Sequence, residues 1–279
     1  MLKLVPESMP VDITEALSSR FHSEPRQERF RCAQSSRMEQ TEAKGLTSAL
    51  ECTVIQTMAA ADSSLRMGRN VGLAIVSGQD QTSYTLHPEE ARILLPRTCG
   101  RKRVEFALGR AAAHFALKQI GFENPPPVSR GQNGEPIWPD GIVGSITHCH
   151  PWSVAVAVKC SNGFAIGVDL ETMERMQGTD ISDLVCREAE LDWIRGGDFQ
   201  ERLTMIFSAK EAVYKALYPL CRRYIDFKEV ELTWFPEQHR FQGEFLAPLG
   251  PNVQQGQACA VHCRCHAELV FSCLVHQFK

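Results

Sequence analysis

FAIGVDLE, residues 164–171, decides how the rest of the chain is read. Side chains alternate along a strand. Phe164, Ile166, Val168 and Leu170 therefore share one face, and Ala165, Gly167, Asp169 and Glu171 share the other. Two like charges side by side repel each other unless something cationic stands between them. Gly167, on the acidic face, leaves room for another element to approach. Read alone, the stretch also fits a solvated, acidic strand exit.

A partner for it lies downstream in FSAKEAVYKAL, 207–217. On a helix, Glu211 and Lys215 share a face, with Phe207 one turn earlier, and Lys210 and Tyr214 form the neighbouring row. An ordinary surface ion pair would fit that spacing. The surroundings argue against it, because Phe207, Ala209, Ala212, Val213, Ala216 and Leu217 enclose the charges. A helix this apolar is buried, and buried charges need a partner or a task.

Working outward, VGLAIVSG (71–78) reads as a strand, and LHPEEARILL (86–95) carries a helix with Glu89 and Glu90 at its positive end. RKRVEFALGRAAAHFALKQIG (101–121) is a long helix, with Val104, Leu108, Ala111, Ala112 and Phe115 at helical spacing. A loop rich in Pro and Gly (124–141) precedes strands at 142–148 and 152–159. SNG (161–163) is expected to turn the second of these into FAIGVDLE as a hairpin. Residues 180–217 read as mostly helical, and 227–235, 239–247 and 258–276 as closing antiparallel strands. A long helix followed by a hairpin thus occurs twice, at 101–171 and 199–276. That predicts two similar halves facing each other.

Bulk properties narrow the class. The 279 residues suffice for one large domain or two modest ones. Hydrophobic content of 43% and charged content of 23% are ordinary for a globular protein. A net charge of −3 gives no global pull toward nucleic acid, so any basic surface must be local. One exists: between Leu95 and Glu135 stand Arg97, Arg101, Lys102, Arg103, Arg110, Lys118 and Arg130, against Glu105, Glu123 and Glu135. No segment approaches the ~20 apolar residues of a membrane span.

Residues 1–60 are read as a variable, poorly ordered extension, with ALECTVIQTMAAA (49–61) as a short helix packed on the folded body. They lack a secretory signal, and their several Glu residues do not suit a transit peptide. The eleven cysteines are scattered and odd in number, which predicts free thiols and a cytoplasmic location. CAVHCRCH (259–266) invites a zinc reading. Its alternation of Cys259, Val261, Cys263 and Cys265 with polar residues is instead a strand pattern, without the usual two-residue gap of a zinc knuckle.

GVDLE (167–171) followed by FSAKEAVYKA (207–216) resembles the signature pair of the 4′-phosphopantetheinyl transferases. GRKRVEFALGRAAAHFAL (100–117) and GEPIWPDGIVGSITHC (134–149) resemble the branch serving siderophore and nonribosomal peptide synthesis. The likeness covers roughly residues 70 to 235. It implies an α+β fold of two similar subdomains, 61–160 and 161–279, each a small antiparallel sheet with a long helix, and an active site at their interface. It implies transfer of 4′-phosphopantetheine from coenzyme A to a serine of an acyl or peptidyl carrier protein, with release of adenosine 3′,5′-bisphosphate.

The resemblance further implies Mg²⁺ held by Asp169, Glu171 and Glu211, an oxygen-only set that suits this ion. Glu211, Lys215 and Asp169 carry the catalytic roles. Coenzyme A is expected against Lys102, Arg103, Arg110, Arg130, Asn133, Gly134, Glu135, Pro136, Thr147 and His148, together with Asp169, Glu211 and Lys215. Where many members place a phosphate-binding lysine near the Gly-Glu-Pro turn, this chain reads SRGQNGEP, and Arg130 or backbone groups are expected to serve. The carrier's acidic helix is expected to dock near Arg222 and Arg223. The chain is expected to act as a monomer, with no nucleic-acid or membrane partner. The rival readings are a metal-dependent nucleotide or coenzyme A phosphohydrolase and a catalytically silent coenzyme A-binding module.

Overall fold

The computed structural model describes residues 36–61, 70–78, 84–94, 100–160, 164–178 and 180–277. In chain order the elements are α1 (Ser36–Ala61), β1 (Val71–Ser77), α2 (Pro88–Ile93), α3 (Gly100–Gln119), β2 (Ser129–Arg130), β3 (Pro136–Ile137), β4 (Ile142–Cys149), β5 (Trp152–Lys159) and β6 (Phe164–Thr172). There follow α4 (Met173–Met176), α5 (Ser182–Val185), α6 (Glu188–Arg195), α7 (Phe199–Cys221), β7 (Val230–Phe235), β8 (Arg240–Phe245), β9 (Ala258–His266) and β10 (Leu269–Gln277).

The strands form small antiparallel sheets, so the fold is α+β, as expected. One has the order β1-β5-β4, another β6-β10-β9-β8-β7, and β2 pairs with β3. The expected β5–β6 hairpin does not form. β5 is apolar along nearly its whole length and is flanked by β1 on one edge and β4 on the other. β6 pairs throughout with β10, Phe164 opposite Gln277 and Thr172 opposite Leu269. The connecting residues 161–163 lie outside the described residues. The tract 258–276 is two strands, β9 and β10, reversing near Ala267, whose φ of 50° is left-handed.

In each of the two larger sheets a glycine on a strand admits a long helix at backbone distance. A Cβ on Gly72 of β1 would stand 1.9 Å from the Ala116 carbonyl oxygen of α3. A Cβ on Gly167 of β6 would stand 2.0 Å from the Ala212 carbonyl oxygen of α7. Alanines at the facing helix positions complete the close approach. α7 starts at an Asp198 cap that accepts from the Glu201 N–H at 2.8 Å, and it ends at Arg222 with φ 52°.

On the other side of the sheets one core runs across both. Leu73, Val154 and Val156 pack there with Ile166, Val168, Leu170, Phe271 and Cys273. The alternation of FAIGVDLE is therefore realised, with its apolar face in this core.

Residues 1–35, part of the expected N-terminal extension, lie outside the described residues. The expectation of poor order fails from Ser36 onward, where α1 runs to Ala61. Leu50, Val54 and Met58, four residues apart, are at most 2% exposed and join the core just described. The packed helix expected at 49–61 is thus present, and it begins earlier, at Ser36. The chain divides into two units, Met1–Glu42 and Ala43–Lys279, and all that follows concerns the second. The nine described cysteines are free thiols. Among the described residues no helix is long and apolar enough to cross a membrane.

Candidate active site

The free edge of β6 meets β4 through side chains. Ser145 Oγ accepts from the Val168 N–H at 3.1 Å, and Thr147 Oγ1 accepts from the Leu170 N–H at 3.1 Å. Hydroxyls stand where a neighbouring strand would offer carbonyls, so the backbone is satisfied while the two sheets stay separate. Asp169 and Glu171 lie at this seam, 2% and 5% exposed.

Two carboxylates buried together require cations, and the chain supplies two. Lys215 Nζ, from α7, donates to Asp169 Oδ1 at 2.5 Å and to Thr147 Oγ1 at 3.2 Å. Arg175 donates to both Glu171 oxygens, at 3.3 and 3.2 Å. Even so, burial first and the Asp169 charge second push Glu171 up to about 8, against the pull of Arg175 and Lys215. Burial works against the Lys215 charge too, but the Asp169 and Glu211 carboxylates hold it above the ordinary lysine value. Lys215 is thus an ammonium at neutral pH. His148 is held below its ordinary value by burial, with Lys215 and Arg175 acting the same way and Glu105 and Asp169 opposing.

Asp169 Oδ2 is buried and has no hydrogen-bond partner among the described residues. An orphaned carboxylate oxygen beside an acid raised by burial and by its neighbour's charge is what a divalent cation would relieve, so the residues fit one. Among the described residues, however, no three His, Cys, Asp or Glu side chains are arranged to hold an ion. The expected cage of Asp169, Glu171 and Glu211 is therefore not preassembled: Asp169 is bonded to Lys215 and Glu171 to Arg175.

The expected phosphate-binding groups separate by exposure. Lys102 and Arg103 are exposed on the first turn of α3. Arg110, eight residues after Lys102, is buried: it stacks on Phe106 at 4.5 Å and donates to the Ser129 carbonyl at 3.1 Å. Burial lowers it to about 10. Its visible task is to hold β2, which leads into the Gly-Glu-Pro turn.

Arg130 is exposed and lies over that turn, one guanidinium nitrogen 3.2 Å from where a Cβ on Gly134 would stand. Gly134 itself takes φ +92°. The turn is tied down at both ends. The Asn133 N–H donates to Glu135 Oε2 at 3.0 Å, and Asn133 Nδ2 donates to the Tyr218 hydroxyl at 2.5 Å. Arg222 Nη1 donates to Glu135 Oε1 at 3.3 Å. The loop that ends in Pro136 thereby reaches the C-terminal end of α7. Arg223 is bonded to Glu229, at 2.9 and 2.8 Å, and to the Leu249 and Pro248 carbonyls.

Three features escape the sequence reading. Arg175 follows Glu171 by four residues past the strand end, a spacing that signals the pair only once Thr172 is known to cap a helix. Thr147, expected at the nucleotide, also bonds Asp169, Leu170 and Lys215, a set of partners that the sequence does not signal. Lys210 donates to Glu190 at 2.7 Å and to the Val185 and Phe227 carbonyls, wholly inside the protein. Nothing in FSAKE singles out Glu190 as its partner.

The family model described as "4′-phosphopantetheinyl transferase N-terminal domain" matches residues 89–158. The model described as "4′-phosphopantetheinyl transferase superfamily" matches 165–260. The chain is 34% identical over 186 residues to 4′-phosphopantetheinyl transferase Svp of Streptomyces mobaraensis, covering 64% of this chain and 73% of the relative. It is 33% identical over 179 residues to 4′-phosphopantetheinyl transferase PptT of Mycobacterium tuberculosis, covering 60% and 74%. Enterobactin synthase component D of Salmonella typhimurium is 37% identical over 124 residues, covering 43% of this chain and 50% of the relative.

Proposed function

The chain belongs to the 4′-phosphopantetheinyl transferase superfamily and is an enzyme of phosphopantetheine transfer, and on that premise we propose that it moves the 4′-phosphopantetheine group of coenzyme A onto a serine of an acyl or peptidyl carrier protein in the cytoplasm. It acts as a monomer and releases adenosine 3′,5′-bisphosphate. The observation that carries this reading is the buried Asp169 carboxylate, one oxygen on the Lys215 ammonium and the other unpartnered.

Mg²⁺ held by Asp169, Glu171 and Glu211 would draw charge from the pyrophosphate and lower its barrier to attack. The remaining work falls to the chain's own groups. Glu211 takes the proton from the carrier serine, whose Oγ bonds to the phosphorus that bears pantetheine. The bond from that phosphorus to the bridging oxygen breaks, and the bisphosphate departs with both electrons. Lys215, charged at neutral pH, meets the departing oxygen. Most of the rate gain comes from such positioning and charge neutralisation.

His148, uncharged at neutral pH because it is buried, is a hydrogen-bond donor to the 3′-phosphate. Lys102, Arg103 and Arg130 supply the positive charge, and backbone groups of Asn133, Gly134, Glu135 and Pro136 shape the turn. Arg110 serves coenzyme A by fixing that loop. The carrier docks against Arg222, which stays 62% exposed beside its 3.3 Å bond to Glu135, whereas Arg223 is held by Glu229 at two points.

Chromatography of the nucleotides tests the reading. With an apo carrier, coenzyme A and Mg²⁺, adenosine 3′,5′-bisphosphate is expected to accumulate, and to stop when the carrier is omitted or a chelator is added. Coenzyme A consumption without any carrier would instead identify a phosphohydrolase.

A further inference from the structure

Thr147 is 2% exposed, and its hydroxyl has no bonding capacity left. It accepts from the Leu170 N–H at 3.1 Å and from Lys215 Nζ at 3.2 Å, and it donates to Asp169 Oδ1 at 3.2 Å. A hydroxyl offers one donor and two acceptor sites, and all three are used inside the protein.

We infer that Thr147 is a positioning residue: by fixing Oδ1 of Asp169 together with the Lys215 ammonium, it turns Oδ2 into the oxygen offered to the metal. The inference rests on the reading of Asp169 as a metal ligand. The distribution of partners supports it. Every bond that Asp169 makes in the seam goes to Oδ1, from Thr147 and Lys215, and Oδ2 is left buried and bare. A carboxylate free to rotate about its last bond would exchange its two oxygens, and Leu170, through its N–H, anchors the hydroxyl that prevents this. Groups that orient metal ligands in this way commonly change metal affinity by about 10- to 100-fold when removed.

Ser145 supplies an internal control. It lies two residues earlier on β4, bonds the Val168 N–H in the same way, is equally buried, and makes no hydrogen bond to Asp169. A purely structural contribution to the seam should therefore be shared by both hydroxyls, whereas a contribution to the metal should belong to Thr147 alone.

The test is an electron-paramagnetic-resonance titration with Mn²⁺ on the full chain with coenzyme A present, with thermal melting alongside. Thr147→Val is expected to weaken Mn²⁺ binding about tenfold or more, and to lower kcat more than it raises the KM for coenzyme A. Thr147→Ser is expected to restore both. Ser145→Ala is expected to lower the melting temperature and leave Mn²⁺ affinity unchanged. Should Thr147→Val not fold, Thr147→Ala replaces it, since the smaller side chain leaves room for a water on the Leu170 N–H. Unchanged Mn²⁺ affinity in the hydroxyl-free variant would overturn the inference, as would an equal loss in Ser145→Ala. A wild-type chain that binds no Mn²⁺ would overturn the metal reading itself, and the inference with it.

Discussion

Glu90 shows how much one side chain can organise. It is fully buried, and its carboxylate accepts from the Val128 N–H at 2.8 Å, the His87 N–H at 3.1 Å and His114 Nε2 at 2.8 Å. Burial alone would raise it, but these bonds hold it below the ordinary carboxylate value. A carboxylate depressed in the folded state stabilises above its unfolded value, near 4.3, and loses that stabilisation as pH falls through the folded value. Glu90→Gln removes this dependence. Urea midpoints of wild type should therefore drop further between pH 7 and pH 3 than those of Glu90→Gln, and equal drops would contradict the assignment.

At this scale the sequence is informative where chemistry is concentrated. Asp169, Glu171 and Lys215 stand out because acids on one strand face and a lysine on an apolar helix have few structural uses. Glu90 does not stand out. In LHPEEARILL it reads as a helix-start acid beside Glu89, and only the fold shows that one of the two points inward while the other is exposed.

Among elements, α7 holds both Glu211 and Lys215 of the candidate site, and a buried ion pair ties it to its neighbours. Lys210 and Glu190 are 2% and 1% exposed. Glu190 also accepts from the Leu232 and Arg187 N–H groups, both at 2.7 Å. The pair therefore joins α7, α6 and β7. Removing one partner of such a pair strands a buried charge, which typically costs about 3–5 kcal/mol, whereas replacing both with apolar groups can be neutral. Lys210→Met should show a loss of that size in urea unfolding, and Glu190→Leu/Lys210→Met should regain only part of it, because the Arg187 and Leu232 N–H groups and the Val185 and Phe227 carbonyls lose their partners. A single variant as stable as wild type would show that the pair contributes nothing.

The element reading of the sequence succeeds for long periodic segments such as α3 and α7, although two apolar positions that mark α3, Val104 and Phe115, are exposed instead of buried. It fails at the β5–β6 connection because local order favours a hairpin. The actual partner of β6, β10, lies about a hundred residues further on, and no local signal marks such a distant pairing.

For the whole molecule, the seam between β4 and β6 explains why the site exists where it does. Two sheets of unequal size share one core, yet their nearest strands are joined by Ser145 and Thr147 instead of by a backbone ladder. Acids placed in that gap are buried without being sealed into a sheet, and α7 brings Lys215 to one of them. The pairing of FAIGVDLE with FSAKEAVYKAL was legible because both ends of that contact are unusual. The joint beside it was not, because a serine and a threonine in GSITH look like any polar strand residues until the facing strand is known.

The central claim is that this site transfers phosphopantetheine, and intact-protein mass spectrometry of an apo carrier addresses it most directly. After incubation with the enzyme, coenzyme A and Mg²⁺, the carrier should gain the mass of one phosphopantetheine group. Glu211→Gln should slow that gain by about a hundredfold or more, the scale of a lost general base. A carrier mass unchanged across fatty-acid, polyketide and peptide-synthase carriers, with a correctly folded enzyme, would contradict the account.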